Sequence, residues 1–237
     1  MNNIHIPPVV KNLLIINILF FAATLVFNQN GTYPLINWFA VYFFNSPKFQ
    51  IWQPITYMFM HSPQNYFHII FNMFALYSFG SLLETRWGSK KFIIFYLLTG
   101  LGALALQWAV QSYEIYSVTG HWISDITIYV PKSKDEFKLL GEIYFGPMLG
   151  ASGAIFGLLV AFGMLYPNAE LLIMFIPVPV KAKYIIPVYI LIELSLGVAQ
   201  IQGDSIAHYA HLGGALIGFI LVKLWKDKKD NFYTLYE

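Results

Sequence analysis

The sequence predicts an all-α polytopic membrane protein, a six-helix bundle with both termini cytoplasmic, and three observations carry that prediction. The first is composition: hydrophobic residues make up 57% of the 237 and charged residues only 11%, where a soluble domain carries about 25% charge. So few charges leave too little polar surface to solvate a globule, and the mean hydropathy of +0.58 points to lipid as the solvent. The second is a set of six apolar segments, and the third is the placement of Lys and Arg between them.

The segments run roughly Leu13–Phe27, Phe67–Leu83, Phe92–Val110, Met148–Tyr166, Tyr184–Ile201 and Ala207–Trp225. Lys11 precedes the first, which could pass for a signal peptide. No small-x-small cleavage site follows it, however, and the chain goes on Asn28-Gln29-Asn30-Gly31, so an uncleaved helix is expected. Orientation comes from the loops. Lys11, then Arg86, Lys90 and Lys91, then Lys181 and Lys183, and finally Lys223, Lys226, Lys228 and Lys229 all fall on one face. The opposite face has only Lys48, Lys132, Lys134 and Lys138, the last three offset by nearby carboxylates. An excess of positive charge marks the cytoplasmic side. The short ends and the lack of a transit peptide point to a bacterial cytoplasmic membrane.

One membrane domain over 1–237 accounts for the chain, with a core at about 52–224 and a short basic tail at 226–237. The 28–66 connection combines Trp38, Phe39, Tyr42, Phe43, Phe44, Phe49, Trp52 and Tyr57 with Pro34, Pro47 and Pro54, which predicts short segments partly in the outer interface, where amphipathic rings are stable. The 111–147 connection is more polar and reads as a solvent-exposed insertion. Between the fourth and fifth segments, Pro177 and Pro179 exclude a regular helix, because each removes a backbone donor. There is no cysteine, so disulfides, thiol nucleophiles and thiolate metal sites are excluded. A net charge of +2 gives no reason to expect nucleic acid.

Polar side chains inside apolar helices cost about 2–3 kcal/mol even on insertion scales, so each needs a reason. They are His68 and Asn72 on the second segment, Ser152 on the fourth, Glu193 on the fifth, and His208 and His211 on the sixth. The even-numbered segments all enter from the outer face, so Ser152, His68, Asn72, His208 and His211 share one layer in the outer third of the bilayer. Gly153 and Gly157 form G-x-x-x-G beside Ser152, and Gly213, Gly214 and Gly218 give the sixth segment a smooth face; such faces let helix backbones approach in lipid. Close packing would then put Ser152 beside a histidine able to take its proton. Donors for a developing oxyanion are available from the His68 ring, the Asn72 amide and the Ser152 backbone N–H. No acid is expected in the layer with His211, which points to a Ser-His dyad. Position alone leaves Ser152 open between nucleophile and interface residue, and Glu193 open between a relay or gate carboxylate and a structural acid.

Gly150-Ala151-Ser152-Gly153 resembles the G-x-S-G serine motif of the rhomboid intramembrane proteases, and Ala210-His211-Leu212-Gly213-Gly214 their histidine motif. His68-Ile69-Ile70-Phe71-Asn72 is similar to their H-x-x-x-N element, and Glu84-Thr85-Arg86-Trp87-Gly88-Ser89 to the turn that follows it. The four together, in family order, are far more specific than any one. The resemblance implies a rhomboid-like six-helix bundle and an intramembrane serine endopeptidase that needs no cofactor or metal. Ser152 is then the nucleophile and His211 the base, His68 and Asn72 line the oxyanion site, and Phe156 packs on His211. It also implies transmembrane protein substrates reached from the lipid bilayer, with the fifth segment and a cap loop as the gate. The oligomeric state is left open. The stretch from His61 to His68 is longer than the family spacing, so His61 is not carried over as a site residue. Two other readings compete: an inactive relative that escorts membrane clients, and a metal site using His61, His68, His208 and His211, for which H-E-x-x-H is absent.

Overall fold

A computed structural model of the chain describes residues 6–122, 125–173, 176–199 and 207–225. Each of the six apolar segments holds a helix, and the protein is an all-α polytopic membrane protein. The first helix, α1 (Pro8–Val26), starts earlier than hydropathy alone indicates. Pro8 opens it, at a position where a missing N–H costs nothing. Short helices α2 (Pro34–Phe39) and α3 (Gln53–Thr56) follow, within the aromatic connection. The second apolar segment is α4 (Tyr66–Ala75), a π-helical turn at Leu76–Gly80, and α5 (Ser81–Trp87). Then come α6 (Ser89–Thr119), α7 (Lys134–Phe145), α8 (Ser152–Leu165), α9 (Ala182–Ala199) and α10 (His208–Leu224).

Among the described residues, four helical stretches are long and apolar enough to cross a membrane: Pro8–Val26, Tyr66–Trp87, Ser89–Thr119 and Ala182–Ala199. The apolar helices α8 and α10 are shorter, at 14 and 17 residues. At 1.5 Å per residue α8 covers about 21 Å of a hydrocarbon layer about 30 Å thick.

That shortness corrects the expected fourth segment. Residues 148–151 are not helical. Met148 exchanges backbone hydrogen bonds with Val41 at 2.8 and 2.9 Å, and the Gly150 N–H donates to the Tyr57 carbonyl at 3.0 Å. Gly150 has φ +132°, a conformation that L side chains rarely adopt, and it turns the chain into α8. Ser152 is therefore the first residue of the helix, not a residue one turn inside it.

Two connections take a form that the sequence did not specify. Glu170–Ile173 and Ile176–Lys181 form an antiparallel hairpin, β1 and β2. Pro177 and Pro179 are tolerated there because both strands of a two-stranded sheet are edges. The polar insertion is only partly exposed. Leu140, Ile143 and Tyr144 share one face of α7 and pack under Phe43 of the aromatic connection and Ile115 of α6. Ser133 caps α7 by accepting the Glu136 N–H at 3.1 Å, and the Glu136 carboxylate accepts from Tyr129 and from the Lys132 N–H. Those two donors hold its carboxyl below the usual range.

The aromatic connection is ordered by one buried amide. Gln53, fully buried, accepts the Gln50 N–H at 3.1 Å and donates to the Lys48 carbonyl at 3.3 Å. Trp38, Ile51 and Trp52 stay exposed on the same connection, in keeping with segments that meet an apolar surroundings.

Candidate functional site

The helices α6, α8 and α10 form the centre of the bundle, and glycine sets how close they come. A Cβ on Gly214 would overlap the Gly153 carbonyl, and one on Gly218 would lie 2.8 Å from the Gly157 Cα. The backbones of α8 and α10 therefore touch along the two glycine faces. This contact brings the first turn of α10 against the first residue of α8. The result is a hydrogen bond between the Ser152 hydroxyl and His211 Nε2, at 2.8 Å. Phe156, one turn along α8, stacks flat on the His211 ring with centroids 4.2 Å apart and planes within 8°.

The other nitrogen of the ring corrects the expectation that no acid stands with His211. His211 Nδ1 lies 2.8 Å from Glu193 Oε2, and His208 Nδ1 lies 2.7 Å from the same oxygen. Glu193 and His208 are buried and His211 nearly so. Depth counted along the segments placed Glu193 near the middle of the fifth helix. It is in fact six residues from the last residue of α9, and His211 is three from the first of α10. Gly197 packs level with His208, so Glu193, four residues before the one, and His211, three after the other, differ in Cα level by about 1.5 Å. The missed signal was periodicity: Tyr189, Glu193 and Gly197 recur every fourth residue and so share one face of α9.

His68 is placed beside Gly150. A Cβ on that glycine would lie 2.9 Å from His68 Nε2 and 3.5 Å from the Ser152 hydroxyl oxygen, so both line the same strip of backbone. The Ser62 N–H points at His68 Nδ1 at 3.4 Å. That contact makes Nδ1 the acceptor and leaves the proton on Nε2, the atom that faces Gly150. Asn72 is buried on the same helix, and its amide donates to the His68 carbonyl at 2.7 Å. One of its two N–H donors is thus engaged locally. The Ser152 N–H, at the start of α8, has no carbonyl four residues back within the helix to bond.

Comparison with known proteins identifies the family. The Rhomboid domain family model matches residues 48–227, more than half of the chain. The chain belongs to the rhomboid family. It is 31% identical to the rhomboid protease AarA of Providencia stuartii over 72% of its length, covering 54% of that protein. It is 30% identical to rhomboid protein 1, mitochondrial, of Saccharomyces cerevisiae, over 67% of this chain and 38% of the yeast protein. Rhomboid-like protein 11, chloroplastic, of Arabidopsis thaliana is 30% identical over 75% of this chain and 54% of its own. The chain thus spans about half or less of the length of these relatives.

In this rhomboid the turn after α5 is a structural network. The Glu84 carboxylate accepts the N–H groups of Val9 and Val10 at 3.0 and 2.8 Å and the Ser89 hydroxyl at 2.6 Å, tying α1 to the start of α6. The Arg86 guanidinium lies over the Tyr166 ring. His61, fully buried, faces His68 with ring centroids 5.1 Å apart, so the two histidines are neighbours despite the longer spacing. The histidine set of the competing metal reading (His61, His68, His208 and His211) does not gather. Among the described residues, the group whose ligand atoms lie together, within 4.8 Å, is Glu193, His208 and His211. These could hold a divalent cation, but Glu193 Oε2 already lies within hydrogen-bond distance of both Nδ1 atoms. The cap loop and the basic tail at 226–237 fall outside the described residues.

Proposed function

We propose that this rhomboid is an intramembrane serine endopeptidase, cutting peptide bonds in or beside transmembrane segments of other membrane proteins. The observation that carries the reading is the 2.8 Å bond between Ser152 and His211, in a pocket walled by Phe156. Hydroxyl and imidazole at this distance, on two helices welded by glycine, form a nucleophile and its base.

In the first step the Ser152 hydroxyl proton passes to His211 Nε2 while the oxygen bonds to the scissile carbonyl carbon. The carbonyl π pair moves onto oxygen. The Ser152 N–H, the His68 Nε2–H and the free N–H of Asn72 are the donors proposed for that oxyanion, each worth about 3–4 kcal/mol in comparable sites. His211 then gives its proton to the leaving nitrogen as the C–N bond breaks. Water attacks the acyl-enzyme, its proton goes to His211, and the serine departs with that proton. This uses the protein's own residues throughout and no cofactor.

Water must reach a site inside the bilayer. Because α8 is too short to fill the hydrocarbon layer, Ser152 sits where the non-helical residues 147–151 enter. Irregular backbone at membrane depth is tolerated only when buried in protein or lining a wet cavity. A cavity of about 420 Å³, lined by Ser62, Gln64, Pro147 and Leu149 among others, lies against that entry. The six apolar helices are read as six spans with the site end outward and both ends of the chain inward, by the distribution of Lys and Arg. The bacterial cytoplasmic membrane is the compartment proposed, with the Providencia stuartii relative as support.

The test is labelling with a serine-directed fluorophosphonate, alongside cleavage of a transmembrane substrate in reconstituted membranes. Wild type should label and cleave, and Ser152→Ala and His211→Ala should do neither. Undiminished cleavage by Ser152→Ala would sink the proposal, as would a wild-type protein that binds the substrate without cutting it.

A further inference from the structure

We infer that Glu193 is a positioning residue for His211, making the site a Ser152–His211–Glu193 relay in which His208 anchors the carboxylate. The inference rests on the protease reading of Ser152 and His211 and goes beyond it.

A neutral imidazole carries one proton, on either nitrogen. To accept the Ser152 hydroxyl proton, His211 must carry its own on Nδ1 and present a lone pair at Nε2. The Glu193 carboxylate, 2.8 Å from Nδ1, enforces that tautomer, because a carboxylate offers only acceptors. When Nε2 takes the serine proton the ring becomes an imidazolium, and a buried anion already in contact stabilises it without rearrangement. A buried carboxylate would be costly by itself. The second donor, His208 Nδ1 at 2.7 Å, meets part of that cost and holds Glu193 Oε2 in line with His211.

The α9 face that carries Glu193 also steadies the ring from the side. Tyr189, one turn earlier, lies 5.1 Å from Phe156, which in turn stacks on His211. One turn later, Gly197 lets α9 approach the chain at His208, where a Cβ would lie 3.2 Å from the His208 Cβ. Three residues at a four-residue spacing thus fix His211 by its edge, by its face and by the neighbour that shares its acceptor.

The experiment has two arms. The first reads the wild-type protein in detergent: proton–nitrogen NMR with 15N-labelled histidine, assigned with His208→Gln. The expected result is His211 as the Nδ1–H tautomer with a low-field Nδ1 proton; an Nε2–H tautomer overturns the proposal whether or not any variant folds. The second compares Glu193→Gln with wild type in proteoliposomes. We expect kcat to fall on the order of 100-fold to 10,000-fold with KM nearly unchanged, and fluorophosphonate labelling of Ser152 to slow in step. Glu193→Asp should recover part of that loss. A Glu193→Gln protein with wild-type melting temperature and undiminished kcat overturns the proposal. If wild type itself neither labels nor cleaves, the protease reading fails instead, and the tautomer still reports on Glu193.

Discussion

Gly214 of α10 lies with its Cα against the Gly153 carbonyl of α8, so the helices carrying His211 and Ser152 meet backbone to backbone. The neighbouring Gly213 is also confined, since a Cβ there would lie 2.7 Å from the Gly102 carbonyl oxygen of α6. The geometry of the Ser152–His211 pair is therefore a by-product of helix packing, and small changes in the packing have a large lever on it.

Gly214→Ala is the direct trial. Alanine in a helix gains about 0.5–1 kcal/mol over glycine, but the added carbon overlaps backbone, and overpacking costs about 1–3 kcal/mol. The clash should win. Thermal unfolding in detergent should show a lower midpoint, and cleavage should fall by more than the loss of folded protein explains. A stabilised, fully active variant would contradict the contact.

Phe156→Ala removes the wall behind the His211 ring while leaving both of its hydrogen-bonding edges in place. A ring free to tilt misplaces Nε2, and a displacement near 1 Å can cost on the order of 100-fold in rate. The expected signature is a drop in kcat, with Phe156→Tyr retaining most activity because its ring fills the same space. Steady-state cleavage kinetics of the two variants decide it.

Glu84→Ala should separate stability from chemistry. It strips the acceptors from the Val9 and Val10 N–H groups and from the Ser89 hydroxyl, far along α5 from the site. Leaving buried donors without partners costs about 1–3 kcal/mol. The melting temperature should fall, while activity per folded molecule stays at the wild-type level.

His61 predicts a pH dependence. Burial, and then the neighbouring His68, push its imidazole from 6.5 down to about 3, opposed only in part by the Phe59 carbonyl. The folded form thus holds it neutral while the unfolded chain takes up a proton below 6.5. Its contribution to stability is complete above 6.5 and is lost as the pH falls from there toward 3. Between pH 6.5 and about 5 the loss is at most about 2 kcal/mol. Melting temperatures across that range should decline for wild type, and His61→Phe should flatten the slope.

Much of this was legible in one dimension. Composition and the six apolar runs were enough for a polytopic helical membrane protein, because lipid admits few backbone solutions. The contact between α8 and α10 was also legible: in lipid small residues are the main means of close approach, and Gly153, Gly157, Gly214 and Gly218 advertise it. Ser152 and His211 stood out because polar groups in apolar helices are costly, and the structure brings that pair within hydrogen-bond distance.

Other features were decided only by contacts between distant segments. Met148 could pair with Val41 only once the aromatic connection had folded back, and that pairing ends the helix at Ser152. The half-buried insertion needed Phe43 and Ile115 as a floor for α7. Above all, sequence by itself determined that Glu193 lies in an apolar helix, but not which groups satisfy it. Hydropathy locates a residue to within a turn or two, whereas a hydrogen bond is decided within a few tenths of an ångström. Only the packing of α9 against α10 could place its oxygen between His208 and His211.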